Sequence, residues 1–267
     1  MLFIGRRSSA QKPQRFALLM HETVLQELIA LSRHLGDPAR DYVIIGEGNT
    51  SARIDHETFW IKASGAYLRD IDASGFVAVK PARVMQLLDA DASDADVTRA
   101  LLDARVEENA ARPSVETILH AVLYELTDAQ FIGHTHPPAA VSVLSSARAE
   151  DITRQVMPDG IVVCGAHMLF VPYVDPGVPL AREVRDRVTK FIAAYKEMPR
   201  TLWLQNHGVF ALGSTARQVE HITAMAVKHA RIVGAALALG EPHWLSERDI
   251  ARIHTRPDEL LRRAKFK

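Results

Sequence analysis

The stretch SVETILHAVLYELTDAQFIGHTHPP, residues 114–138, carries two periodicities back to back. Ser114 stands before an apolar-periodic run and Glu116 falls in its first turn, so the spacing predicts a helix over 114–124. Phe131 to Thr135 is a short apolar run that predicts a strand, ended by Pro137 and Pro138. A helix that feeds a strand, with two histidines at the strand's end, sets the terms for the rest of the chain.

Outward from it, the same alternation recurs. Val24, Leu25, Leu28, Leu31 and Leu35 predict a helix over 22–35, stopped by Gly36. SARID (51–55), TFWIKA (58–63) and FVAVK (76–80) predict strands, and 81–89 and 96–106 predict helices. Residues 138–146 predict a short helix, and IVVC (161–164) and MLFVPY (168–173) predict further strands. Amphipathic helices are expected over 180–195 and 216–239, the second stopped by Gly240, with a helical tail over 246–263. TLWLQNHGVFALG, 201–213, is strand-like on both sides of a polar break at Gln205, Asn206 and His207. Strands and helices are mixed throughout, with no repeat and no low-complexity linker. The expectation is one α/β domain over 16–267, a sheet covered by helices, behind a flexible N-terminal arm over 1–15.

The chain has 267 residues, 48% hydrophobic and 24% charged, enough for a sizeable core. Lys plus Arg and Asp plus Glu are both 32, so no global field draws nucleic acid or an anionic membrane surface. Neither is expected as a partner. Cys164 is the one cysteine, which fits a reducing compartment, and its apolar neighbours predict a buried core residue. No apolar run is read as approaching the ~20 residues of a membrane span, and the four apolar residues before Arg6 are too few for a signal segment. A cytoplasmic location is expected.

On a strand, His134 and His136 point to one face with Cα atoms ~6.6 Å apart. Two imidazoles so placed can converge on one ion at Zn–N distances of ~2.0–2.1 Å. Two partly buried histidines bonded to backbone fit the pair equally well. A catalytic zinc usually takes a third protein ligand. His207 interrupts a strand that otherwise reads as core, where a polar triplet needs a reason. Metal ligation is one and a buried turn is another; with His134 and His136 present, the metal is favoured. Glu116, eighteen residues before His134, is the candidate acid/base, with a pKa that burial would raise, or else a helix-start carboxylate facing the dipole. His120 shares its face and is expected to support it. GEGNTS (46–51) fits neither nucleotide fingerprint, yet its backbone N–H groups can face an anion, and KASG (62–65) is a second such turn.

GEGNTS, KASG, RPSVE, GHTHP and QNHG, in that order, resemble the class II aldolase/adducin family over roughly 22–239. VPYVDPG (171–177) is similar to the aldolase part of bifunctional aldolase/dehydrogenases. The resemblance implies a three-layer α/β/α sandwich with a central, largely antiparallel sheet, and a homotetramer. It implies Zn2+ on His134, His136 and His207, with other divalent transition metals suited to the same imidazoles. It makes Glu116 the catalytic acid/base and places a phosphate pocket at Gly48, Asn49, Ser64, Gly65 and Ser114, with Lys62 standing where many aldolases have threonine. The implied reaction is a metal-dependent aldolase step, a lyase of carbohydrate metabolism. It would cleave a small ketose phosphate or related hydroxy-carbonyl compound through a metal-stabilised enediolate. A 4-epimerase or decarboxylase is the alternative, and a non-enzymatic module like the adducin head ranks below both. Two departures stand out. Val115 replaces a second hydroxyl residue before the glutamate, and no tyrosine lies between Tyr124 and Tyr173 to match the family's proton donor.

Overall fold

A computed structural model describes the backbone from Gln11 to Lys265 and side chains from Met20 onward. Among the described residues, seven strands form one open sheet: β1 (Asn49–Arg53), β2 (Phe59–Lys62), β3 (Phe76–Val79), β4 (Phe131–Thr135), β5 (Leu169–Val171), β6 (Thr201–Leu204) and β7 (Gly208–Gly213). Their spatial order is β3-β2-β1-β4-β7-β6-β5. β5 and β6 run parallel, and the other neighbours are antiparallel. The one parallel pair has a helix between its members, the crossover that parallel pairing demands.

Strand alternation sorts side chains into two cores. Phe59, Ile61, Leu202, Leu204, Phe210 and Leu212 face one layer of helices. That layer holds α2 (Pro81–Met85), α3 (Asp94–Asp103), α4 (Thr117–Leu126) and α7 (Val178–Tyr195). Trp60, Trp203, Val209 and Ala211 face the other. There lie α1 (Gln11–Leu35), α5 (Pro138–Leu144), α6 (Pro158–Cys164) and α8 (Ala216–Leu239), with α9 (Glu247–Thr255) and α10 (Pro257–Ala264) outside α6. The architecture is therefore the expected α/β/α sandwich. The second layer presses closely on β4, where a Cβ on Gly133 would lie 2.9 Å from Leu35 of α1 and 2.9 Å from Val219 of α8.

Four expectations change. IVVC is helix, not strand. Pro158 opens α6, Gly165 at φ 99° ends it, and Arg200 caps the Val162 and Val163 carbonyls at 3.0 and 3.2 Å. Ile161, Val162, Val163 and Cys164 are all buried, so no solvent-facing residue reveals the helical period. The helix read from Ser114 begins at Thr117, with Glu116 at its N-cap and its side chain free of the cap. Helix α8 is, by length and composition, apolar enough to cross a bilayer, although no such run was read from the sequence; Val219, Ile222, Ala226 and Val233 of its inner stripe are buried in the core. The N-terminal arm expected over 1–15 falls outside the described residues up to position 10, and the backbone is helical from Gln11.

A candidate metal centre

The centre sits at one end of the sheet, where β1 begins, β4 finishes and β6 turns into β7. His134 is the fourth residue of β4 and His136 follows the strand, its N–H donating to the Tyr42 carbonyl at 2.9 Å. His207 is carried by the β6–β7 turn, closed by its own N–H on the Leu204 carbonyl at 3.1 Å, with Asn206 at φ 55°. Gly208 admits this approach: a Cβ there would lie 2.5 Å from the Thr135 carbonyl oxygen and 2.6 Å from His136 Cδ2.

The three Nε2 atoms converge. His134 Nε2 lies 2.9 Å from His136 Nε2 and 3.3 Å from His207 Nε2. Behind them, His134 Nδ1 meets the Val209 carbonyl and His136 Nδ1 meets Glu47, both at 3.2 Å. An acceptor behind each of these two rings puts the proton on Nδ1 and leaves a lone pair on Nε2. Lone pairs facing one another at such distances repel unless a cation stands among them, so the donor set fits a divalent metal. Three neutral imidazoles suit zinc and its transition-metal neighbours. His134 is further fixed by stacking on Phe210, ring centroids 4.0 Å apart.

Glu116 completes the cluster from the start of α4. One carboxylate oxygen lies 3.1 Å from His207 Nε2 and 3.4 Å from His134 Nε2. The other accepts from the Asn49 amide. Burial pushes its pKa up, as the sequence suggested, but His134 and His207 outweigh burial and hold the carboxyl well below its usual range. Burial, then His134 and His207, push His136 down to about 4, against the Glu47 hydrogen bond. A cavity of about 400 Å3, lined by Val43, Ile44, Glu47, Pro138 and the rings of His136 and His207, opens onto the cluster.

The anion-loop residues gather at the same end. Ala63 bridges Pro113 and the Ser64 N–H donates to Arg112, which sets KASG beside RPSVE. Ser64 and Gly65 are exposed. Gly48 has φ 67°, and a Cβ on it would lie 2.8 Å from the His134 carbonyl oxygen, so the loop closes on β4 only through glycine. Asn49 and Ser114 are buried, Asn49 with its amide spent on Glu116 and His120. Lys62, also buried, binds the Gly46 and Ala66 carbonyls at 2.8 Å each and so ties the two loops together. Burial lowers its pKa against the pull of Glu116. Cys164 lies in the core, its thiol pushed up to about 12 by burial. Glu47 escaped the sequence reading. Its signal was a carboxylate between two glycines, Gly46 and Gly48, in a loop otherwise read for its backbone.

The sequence pattern of the family described as Class II Aldolase and Adducin N-terminal domain matches residues 26–233. The chain is 26% identical over 216 residues to a Bacillus subtilis (strain 168) protein named uncharacterized oxidoreductase YuxG, 77% of this chain and 29% of that protein, so it spans less than a third of YuxG. It is 29% identical over 183 residues to a methylthioribulose-1-phosphate dehydratase of Microcystis aeruginosa (strain NIES-843 / IAM M-2473), 65% of this chain and 78% of that enzyme. Among solved structures, the N-terminal class II aldolase domain of a conserved Thermoplasma acidophilum protein superposes with TM-score 0.63 at 25% identity, covering 78% of this chain and 92% of that one. An L-fuculose 1-phosphate aldolase shares the fold with TM-score 0.65 at 20% identity, covering 87% and 94%. The chain belongs to the class II aldolase/adducin family.

Proposed function

We propose that this class II aldolase/adducin member is a metal-dependent aldolase, a carbon–carbon lyase acting on a small ketose phosphate or a related hydroxy-carbonyl compound. It would work as a homotetramer with one catalytic domain over 16–267, in the reducing cytoplasm that a single buried cysteine suits. The observation that carries the reading is the convergence of three Nε2 atoms with a carboxylate oxygen 3.1 Å from one and 3.4 Å from another.

His134, His136 and His207 would hold the cation, zinc first among those three imidazoles suit. A bound divalent ion supplies charge that polarises a carbonyl and steadies negative charge developing beside it. Glu116, its carboxyl held below the usual range, would stand in the form that removes a proton in the condensing direction and returns it to the electron-rich carbon in cleavage. Ser64 and Gly65, exposed at the rim, would meet the phosphate, with Gly48 and Ser114 behind them. Asn49 and Lys62 would shape that cradle from beneath.

A dehydratase is the second reading, favoured by the relative of that name at 29% identity and by the missing tyrosine between Tyr124 and Tyr173. Metal analysis with a screen of ketose phosphates and their unphosphorylated parents tests both. An aldolase yields two carbon fragments; a dehydratase loses water and keeps the skeleton whole. His134→Ala and His207→Ala should lose metal and turnover together, whereas Glu116→Gln should keep the metal and lose turnover. Stoichiometric zinc in both histidine variants would sink the ligand assignment, and full activity in Glu116→Gln would remove its role.

A further inference from the structure

A stripe on strand β1 faces a stripe on helix α4. Asn49, Ser51 and Arg53 lie at period two; Glu116, His120 and Tyr124 lie at period four. Between them runs an unbroken hydrogen-bond chain. Tyr124 OH meets Ser51 Oγ at 2.8 Å, and Ser51 Oγ meets His120 Nδ1 at 2.7 Å. His120 Nε2 meets Asn49 Oδ1, and Asn49 Nδ2 donates to the Glu116 carboxylate. Asn49, Ser51, His120 and Tyr124 are all buried, and the Arg53 guanidinium covers the Tyr124 ring at 4.9 Å.

Donor and acceptor counting gives the chain one direction. A carboxylate only accepts, so Asn49 must turn its NH2 to Glu116 and its oxygen to His120. His120 must then donate from Nε2. Full burial disfavours a second proton on the ring, so Nδ1 is bare and accepts from Ser51. The Ser51 hydroxyl, its proton given away, accepts from Tyr124. Every donor points toward Glu116, and reversing any single link sets two donors or two acceptors face to face.

We infer that Tyr124, Ser51 and His120 are positioning residues that act through Asn49 on Glu116, locking one carboxylate oxygen so that the other faces the histidine cluster. The catalytic part of this inference rests on the reading of Glu116 as acid/base; the existence of the relay does not. It also gives Asn49 and Ser51, two residues of the GEGNTS loop, a task separate from anion binding.

Nitrogen-15 NMR of the histidine-labelled protein tests the relay without any substrate. His120 should show a protonated Nε2 and a bare Nδ1, and Ser51→Ala should keep that tautomer while Nδ1 loses its hydrogen-bond shift. A proton on Nδ1, or on both nitrogens, in the wild type overturns the inference whatever the chain catalyses. Tyr124→Phe keeps the ring that packs 4.9 Å from Phe59, so folding is preserved while the last donor is lost. In whichever reaction the wild type performs, Ser51→Ala and Tyr124→Phe should lower kcat about 10-fold with KM and metal content unchanged, and Ser51→Thr should restore it. Wild-type kcat in both variants overturns the positioning role. A fully active Glu116→Gln beside an intact His120 tautomer would instead overturn the acid/base reading and leave the relay standing.

Discussion

A histidine ligand is only as well aimed as the group behind its other nitrogen. His134 leans on a backbone carbonyl, which no side-chain substitution removes, but His136 leans on Glu47. Glu47 is held in turn by accepting the Ile44 N–H at 2.7 Å. Glu47→Gln replaces a charged acceptor by a neutral one and should weaken metal binding about 10- to 100-fold, read by competition against a chelating dye. Unchanged affinity would mean that the pair at 3.2 Å does no aiming. His120 gives a second prediction, on stability. Burial holds it down to about 3, so the folded protein keeps it neutral where the unfolded chain takes up a proton. Its contribution is therefore complete above pH ~6.5 and is lost as pH falls toward 3, at up to ~1.4 kcal/mol per unit. Urea denaturation of metal-free protein at pH 7.5, 6 and 5 should show this decline. An equally steep decline in His120→Gln would assign it to other groups.

At the scale of elements, the centre depends on how closely the β6–β7 turn approaches the end of β4. Gly208→Ala puts a methyl 2.5 Å from a backbone oxygen, which cannot swing aside as a side chain can. The hairpin must shift, carrying His207 with it. We expect a loss of about 1–3 kcal/mol in stability and weaker metal binding, measured by thermal melting and metal titration. Gly234→Ala in α8 is the control: its nearest neighbour would be 3.4 Å away, and alanine suits a helix better by about 0.5–1 kcal/mol. Equal behaviour of the two variants would remove the argument from close approach. The same elements mark what the sequence could tell. All seven strands were legible because each is short, β-rich and bounded by turn residues. Helix α6 was not, because a segment buried on every side shows no period, and Pro158 and Arg200 act on it through caps that lie outside the run. His229, between the charged Lys228 and Arg231, is buried on the inner stripe of α8 with Nε2 on the Ile152 carbonyl at 2.9 Å, which charged neighbours in the sequence conceal. The histidine triad was legible through polarity out of place in apolar strands. Glu47 and the Ser51–Tyr124 end of the relay were not, because their meaning lies in partners distant along the chain.

For the whole molecule, the rim of the site is more apolar than a solvent-facing loop needs to be. Ile44 is 61% exposed and Ile45 74%, three and two residues before Glu47, and Val115 next to Glu116 is 54% exposed. Ile45 also holds φ 53°, a left-handed conformation that costs a β-branched residue of order 1–3 kcal/mol unless its surroundings fix it. Apolar side chains on a strained loop beside the candidate site suit burial against another copy of the chain, and they support the proposed homotetramer. Light scattering on the eluting protein should give about four times the 29.6 kDa chain mass. Ile44→Glu with Ile45→Lys should shift that mass toward one chain while the metal stays bound, since all three histidines are kept. A monomer of wild-type sequence at micromolar concentration would end the tetramer reading. A double variant that keeps the wild-type mass would place the subunit contact on another face and leave the isoleucines to the substrate.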